Sequence, residues 1–250
     1  MVEKKKLPEK EEVKLDVVKQ TTKRDFSKKR DASKIERKEF DKNSWQPRTE
    51  LGKKVKDGEI KTIEEILDAG ISIKEAEIFD CLVPNAEAIL MKIGQSKGKF
   101  GGGKRTIWKQ TQKKTKEGNK PNFAALVVVG NRNGIIGIGH GKAKETVPAR
   151  EKAIRHAKLN IIKIKRGCGS WECGCKDLHS IPFKVSGKCG SVRMDLIPAA
   201  KGTGLCVEEE CRKLLELTGI KDIYAKLIGK TKINLILSCF DALRKLSNMK

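Results

Sequence analysis

Long apolar runs are missing from this sequence of 250 residues. Nothing approaches the roughly 18 consecutive apolar residues that a membrane span needs, and residues 1–10 are charged where a secretion signal would be apolar. Neither a membrane protein nor a secreted one is expected. Aromatics are scarce at 4%, and acids are too few to balance the bases: 32 Asp and Glu face 55 Lys and Arg, a formal charge of +23. That excess points to a polyanionic partner. Disulfide density is absent as well, since eight Cys spread over this length are not a disulfide scaffold. In a reducing compartment they are thiols or metal ligands. Hydrophobic residues reach 38%, enough for a core provided part of the length is an unpacked tail.

Catalytic apparatus is equally hard to find. His140, His156 and His179 are the whole histidine complement, and none stands beside a nucleophile pattern. Gly229, Lys230 and Thr231 resemble the end of a phosphate-binding loop, but the position that must be glycine is Tyr224. Gly137, Gly139 and Gly141 are spaced every second residue, unlike the dinucleotide fingerprint, and are expected to let the next helix pack closely. A zinc deaminase needs H-x-E and P-C-x-x-C, and the sequence has neither. The expectation is that the chain is not an enzyme.

What is present divides the chain. Residues 1–57 mix Lys with Glu and Asp, show little apolar period, and read as a basic extension without a fold of its own when free. Phe26, Phe40 and Trp45 are its candidate anchors. Two capping boxes, Thr62 with Glu65 and Ser72 with Glu75, predict two short helices, the second running to about Leu82. Residues 123–129 (FAALVVV), a turn at 131–134 and IIGI at 135–138 predict a hairpin. Thr146 is then placed to cap a helix with Pro148 in its first turn, carrying a basic stripe of Arg150, Lys152, Arg155 and Lys158. Strands are expected at 181–185 and 191–197, joined by 186–190, then a helix at 207–217 with three Glu in its first turn, a strand at 223–228 and a last helix from about Thr231. The fold class is therefore α+β, with a β-β-α-β-α second unit. The domains are 58–165, a Cys-rich link at 166–178, and 179–250.

Residues 92–121 carry the densest signal. Ten cations (Lys92, Lys97, Lys99, Lys104, Arg105, Lys109, Lys113, Lys114, Lys116 and Lys120) meet one acid, Glu117. Glycines let the backbone approach a ligand, and Phe100 and Trp108 offer faces for base stacking. The coincidence points to RNA, against a plain flexible basic loop. A second cluster, Cys168, Cys173, Cys175 and His179, supplies thiolate and imidazole donors that suit a closed tetrahedral zinc site. Its C-x4-C-x-C-x3-H spacing departs from the usual knuckle, which tilts the reading toward reduced thiols filling a tight link. No cofactor is thus expected, with a structural zinc as the alternative. Cys81, Cys206, Cys211 and Cys239 read as core residues.

The segment GNKPNFAALVVVGNRNGIIGIGHGKAKE over 118–145 resembles the signature of the universal small-subunit ribosomal protein numbered five. HSIPFKVSGKCGSVRMDLIPAAKGTG over 179–204, LLELTGIKDIYAKLIG over 214–229 and FDALRKL over 240–246 agree with it independently, and RGCGSWECGC over 166–175 is similar to the archaeal form. The resemblance implies a double-stranded-RNA-binding-like domain followed by a two-layer α/β domain, both on small-subunit ribosomal RNA in the cytoplasmic small subunit. It implies a place beside the path by which messenger RNA enters, and an effect on decoding accuracy. Its implied protein partners are the small-subunit proteins numbered three, four and eight, with no homo-oligomer. Carried onto this chain, the basic loop is Lys113, Lys114, Lys116, Gly118, Asn119 and Lys120. The second-domain motifs are Gly187, Lys188, Gly190 and Arg193, and the loop at 201–204 with Lys201. Gly187, Gly190 and Arg193 are assigned to a protein interface. Lys97, Lys99, Lys104, Arg105, Lys109, Arg132, Lys142, Lys144, Arg150 and Arg155 join the loop, Lys188 and Lys201 as expected RNA-binding residues. Rival readings are a free regulator that binds duplex RNA and a zinc-dependent RNA enzyme.

Overall fold

The run FAALVVV is apolar without alternation because its strand is covered on both faces. In the computed structural model, which describes residues 42, 44–96, 98, 103, 105–175 and 177–247, this run belongs to the strand Gly118–Gly130 (β3 below). Leu126 and Val128 enter one apolar cluster, while Ala125, Val127 and Val129 enter another. Phe26, Phe40, Phe100, Lys97, Lys99 and Lys104 lie outside the described residues.

The first half holds helices α1 (Glu50–Asp57), α2 (Ile63–Asp68) and α3 (Ala76–Leu82), strands β1 (Glu87–Leu90), β2 (Lys109–Thr115), β3 (Gly118–Gly130) and β4 (Ile135–Ala143), then α4 (Thr146–Leu159) and β5 (Ile161–Lys163). The sheet runs β1-β3-β4-β5, all pairs antiparallel. Strand β3 is long enough to pair twice along one edge, with β2 over its first half and with β1 over its last residues. Helix α4 lies directly on the sheet. A Cβ at Gly139 would come within 2.2 Å of the backbone at Ala153 and Ala157, and Gly137 and Gly141 are as crowded. The every-second-residue glycines are the seat of that helix, and Ala149, Ala153 and Ala157 are its fully buried contact row.

The second half holds β6 (Val185–Cys189), β7 (Val192–Pro198), β8 (Leu205–Cys206), α5 (Glu209–Thr218), β9 (Ile223–Ile228) and α6 (Lys232–Ser247). Its sheet order is β6-β7-β9-β8, with only the short β8 parallel to its neighbour. Both helices cover one face, where Leu214, Leu235, Ile236 and Leu243 meet Val192, Met194 and Leu196. Lys188, Arg193, Tyr224 and Lys226 are exposed. The fold is α+β with two sheets. Its two halves share an apolar cluster in which Leu126, Val128, Ile136 and Ile138 pack with Leu214, Leu217 and Leu243. The described residues accordingly form one compact unit.

Several local expectations shift. Helix α4 starts after Glu145, and Thr146 is its first residue without serving as a side-chain cap. Thr62 donates its hydroxyl to the Glu65 carboxylate at 2.6 Å and caps no amide. Helix α3 begins only at Ala76, so Ser72 caps nothing; Glu75 instead accepts hydrogen bonds from the amides of Arg48 and Thr49 at 2.9 and 2.6 Å. That carboxylate holds the start of α1, a helix inside residues 1–57 that Thr49 caps and Gly58 closes at φ 83°. Trp45 and Val55 bury their side chains there. The expected strand at 181–185 and its link at 186–190 are displaced: 185–189 is itself the strand, and the turn is only Gly190 and Ser191. Gly187 makes this possible, because α6 crosses it with a backbone oxygen 2.0 Å from where a Cβ would stand.

Candidate nucleic-acid interface and metal centre

The basic segment before β3 is a two-stranded ribbon. Residues 109–115 pair with 118–124 in unbroken antiparallel register around the turn at Lys116 and Glu117, and every residue of β2 except Thr115 is exposed. Nothing apolar marks KQTQKKT as a strand; the ladder of β3 imposes the form. Gly118, at φ 120°, supplies the turn. Cross-strand partners share a face of a sheet. Lys113 stands opposite Lys120, while Lys109 and Lys142 flank Ala124 from the two neighbouring strands. Lys109, Lys113, Lys120 and Lys142 therefore project from one face, with Lys114 and Asn119 paired on the other. Like charges set directly opposite each other destabilise a ladder, and here, among the described residues, the acid that pairs with them is Glu117, 3.7 Å from Lys120 at the exposed tip. The field is felt at His140, whose pKa is lowered first by burial and then by Lys142, His156 and Lys109.

Other expected contacts are dispersed. Arg150 and Arg155 lie on α4, on the opposite side of the first sheet from the ribbon's lysine row. Arg155 is exposed, and the buried Nε of Arg150 has no partner among the described residues. Lys158 is committed to Asp80 at 2.5 Å. Arg132, at φ 58° in the β3–β4 turn, pairs with Glu87 at 2.9 Å. Arg105 bridges to Ser96. Lys144, Lys188, Gly190 and Arg193 are exposed, whereas Gly187 is buried under α6. Trp108 is half-buried, with part of its ring packed against an apolar cluster of the first half. The exposed tryptophan is Trp171, 92% accessible within the Cys-rich link.

The link itself is pinned before any metal is considered. Gly167 and Ser180 exchange two backbone hydrogen bonds of 3.0 Å, which sets Cys168 beside His179. Gly169 lies so close to Pro182 that a Cβ would stand 2.0 Å from its carbonyl oxygen. The donor atoms of Cys168, Cys173, Cys175 and His179 all lie within 4.8 Å of one another. Two sulfurs on a tetrahedral zinc stand about 3.8 Å apart; the Cys173 sulfur is 3.9 Å from His179 Nε2 and 3.0 Å from the Cys175 sulfur. The four donors therefore suit a zinc ion after small shifts: the Cys173–Cys175 pair must part by about 0.8 Å, and any pair wider than about 3.8 Å must close. The Cys175 thiol, hydrogen-bonded to Cys173, holds the latter at about 6 and is itself pushed up to about 11, so one thiolate is already favoured.

Behind the cluster stands a residue that the sequence did not single out. Asp222, 43 positions from His179, accepts a hydrogen bond from Nδ1–H of that imidazole at 2.9 Å with both side chains buried. This leaves Nε2 facing the sulfurs, the arrangement in which a carboxylate orients a metal-binding histidine. Among the remaining cysteines, Cys211 and Cys239 are buried as expected and Cys81 partly so. Cys206, expected in the core, is instead exposed on β8, too short a strand to be covered.

Comparison with known proteins places this architecture. The family description "Ribosomal protein S5, N-terminal domain" matches residues 107–165, and "Ribosomal protein S5, C-terminal domain" matches residues 187–250. A "Small ribosomal subunit protein uS5" from Nanoarchaeum equitans is 49% identical over 208 residues, covering 82% of this chain and 89% of the relative. Those of Picrophilus torridus and Methanosphaera stadtmanae are 45% and 44% identical, each with 87% of the relative covered and with 82% and 84% of this chain. Identity of this extent across both sheets and the link between them makes the chain a member of the small ribosomal subunit protein uS5 family.

Proposed function

We propose that the chain is a structural component of the small ribosomal subunit that grips ribosomal RNA with the lysine face of its β2–β3 ribbon. As a member of a ribosomal protein family it is a structural protein and not an enzyme. The observation that carries the RNA reading is the row of Lys109, Lys113, Lys120 and Lys142 on one face, which includes a directly opposed like-charge pair. Such a pair costs the isolated protein stability and is relieved when phosphates lie across it. Lys114, Lys116, Gly118 and Asn119 extend the contact around the tip. Arg105, Lys144, Arg150, Arg155, Lys188 and Lys201 hold separate RNA segments, and Arg132 reaches RNA past its Glu87 partner.

The finer role follows from two domains joined by one core. A rigid body that holds two RNA segments sets how readily the subunit closes around a codon–anticodon pair, and its exposed cations face single-stranded messenger on its way in. The small-subunit proteins numbered three, four and eight are its neighbours in this reading, Gly190 and Arg193 lying on the exposed rim toward a protein partner, with the cytoplasm as its compartment. The domain division at 58, 166 and 179 belongs to the same reading, with α1 tying the extension to the first domain. The cysteine cluster holds a zinc ion. With four protein donors and no open position, that metal serves structure and no hydrolytic step. Among the described residues no helix is long and apolar enough to cross a membrane.

The test is sedimentation from gently lysed cells through sucrose at low and then high salt, with small-subunit RNA as the marker. Stoichiometric co-migration that survives salt stripping is the expected result. A protein that runs free, or leaves at moderate salt, overturns the reading in favour of a free RNA-binding regulator.

A further inference from the structure

The cysteine cluster and the turn at residues 201–204 are far apart in sequence, yet they share a carboxylate. Asp222 is buried, with 4% of its surface accessible. One of its oxygens accepts a hydrogen bond from Nδ1–H of His179 at 2.9 Å. The other accepts from the amides of Gly202 and Gly204 at 3.1 and 2.8 Å. Both glycines have positive φ, 93° and 75°, so the turn aims two amides at one point in a conformation that side chains resist. Two further ties join the same segments. The His179 carbonyl accepts from the amides of Lys221 and Asp222 at 2.8 and 3.1 Å, and Asp177, two residues before the histidine, pairs with Lys201 at 2.7 Å.

Resting on the reading that Cys168, Cys173, Cys175 and His179 hold zinc, we propose that Asp222 is the positioning residue through which the metal fixes the 201–204 turn and, with it, Lys201. The chemistry is directional. A histidine that gives Nε2 to zinc must carry its remaining proton on Nδ1, and the carboxylate that accepts the hydrogen bond from Nδ1–H fixes the plane of the ring. With the ring fixed, Asp222 has one rotamer, and its second oxygen stands where the two glycine amides converge. Loss of the metal frees the imidazole to change tautomer and rotate, the carboxylate loses its anchor, and two amides lose a shared charged acceptor. The ribbon, which touches none of these groups, is unaffected. Zinc thereby conditions one RNA-facing element of the molecule while leaving the other alone.

The experiment uses the full chain, purified without chelator. Zinc is first counted by elemental analysis; amide hydrogen exchange is then followed before and after zinc is withdrawn by a chelator. One zinc per chain is expected. Its removal should speed exchange at Gly202 and Gly204 by about tenfold or more, a local opening, with Val127 and Val128 in β3 unchanged. Asp222→Asn, which keeps an acceptor for the glycines but presents an amide group or a neutral oxygen to the ring, should bind zinc about 10–100-fold more weakly in competition with a chromophoric chelator. One bound zinc whose removal leaves Gly202 and Gly204 exchange unchanged overturns the coupling and leaves the zinc reading standing. Substoichiometric zinc in the wild-type protein overturns both. The chelation arm needs no variant, so it decides the matter even if Asp222→Asn does not fold.

Discussion

Glu75 holds α1 to the body of the protein through the amides of Arg48 and Thr49. Burial alone would raise its pKa, but hydrogen bonds from Thr49, Arg48 and Trp45 outweigh burial and leave it below the ordinary value of 4.5. A carboxyl whose folded pKa is depressed stabilises the fold fully above its unfolded pKa and ceases to do so as pH falls through the folded one. Docking of α1 should therefore be intact at neutral pH and weaken in acid, starting below about 4.5. Glu75→Gln should cost about 2 kcal/mol at pH 7, the scale of hydrogen bonds to a buried charged group, and should flatten that acid dependence. Exchange of the Thr49 amide against pH checks both; identical profiles for wild type and variant would sink the assignment. The sequence offered Glu75 only as the partner of Ser72, because a capping box is a local pattern and the amides it serves lie 26 and 27 positions away. Asp222 was hidden for the same reason. The cysteine cluster was legible since all four donors fall within residues 168–179, where spacing alone brings them together.

Elements whose burial is uniform were readable; those defined by a neighbour were not. The β3–β4 hairpin and α4 announced themselves through apolar runs, a turn cluster and the glycine spacing, and their positions in the structure agree. Gly139→Ala tests the seat of α4 directly. Its Cβ would stand 2.2 Å from helix backbone, and since backbone cannot rotate away, a loss of about 3 kcal/mol is expected, read as a lower urea midpoint. A midpoint within experimental error of wild type would mean that α4 can lift from the sheet. Strand β2 has no apolar residue and both faces exposed, so no period in KQTQKKT could reveal it. Helix α1 was lost in the charge of the leader because its buried side rests on little more than Val55 and Gly52. For the ribbon, charge and stability should part company. Lys113→Gln removes a repulsion against Lys120 and should leave the melting temperature unchanged or higher. The same substitution should weaken binding to small-subunit RNA and, for duplex contacts, flatten log K against log salt by about 0.9. Charge reversal of Lys113, Lys114 and Lys116 to Glu should lower subunit yield or raise misreading in cells. A variant of normal yield and fidelity would remove the ribbon from the interface.

At the scale of the whole molecule, the second family domain has no core to itself. Leu126 and Val128 of the first sheet lie in one apolar cluster with Leu214, Leu217 and Leu243 of the second domain, and the join is closed by backbone. The amides of Arg132 and Gly134 donate to the carbonyls of Leu217 and Thr218 at 2.8 and 2.9 Å, and Arg166 reaches the Gly219 carbonyl and the Asn133 side chain. In the sequence, 166–178 reads only as a Cys-rich link, because the contacts that join the halves on either side of it connect residues far apart along the chain. Cooperative unfolding is the expected outcome, because the second half has no separate core to hold it once the shared cluster opens. Leu217→Ala, at a position 1% exposed, should cost about 3 kcal/mol. It should also accelerate exchange together at Val128 in β3 and Met194 in β7, although it alters only one side of the join. Two separate transitions, with β3 still protected after β7 has exchanged, would show that the halves unfold independently. A single coupled transition would mean that RNA held by one domain also stiffens the other, the mechanical property that a protein bridging two RNA segments requires.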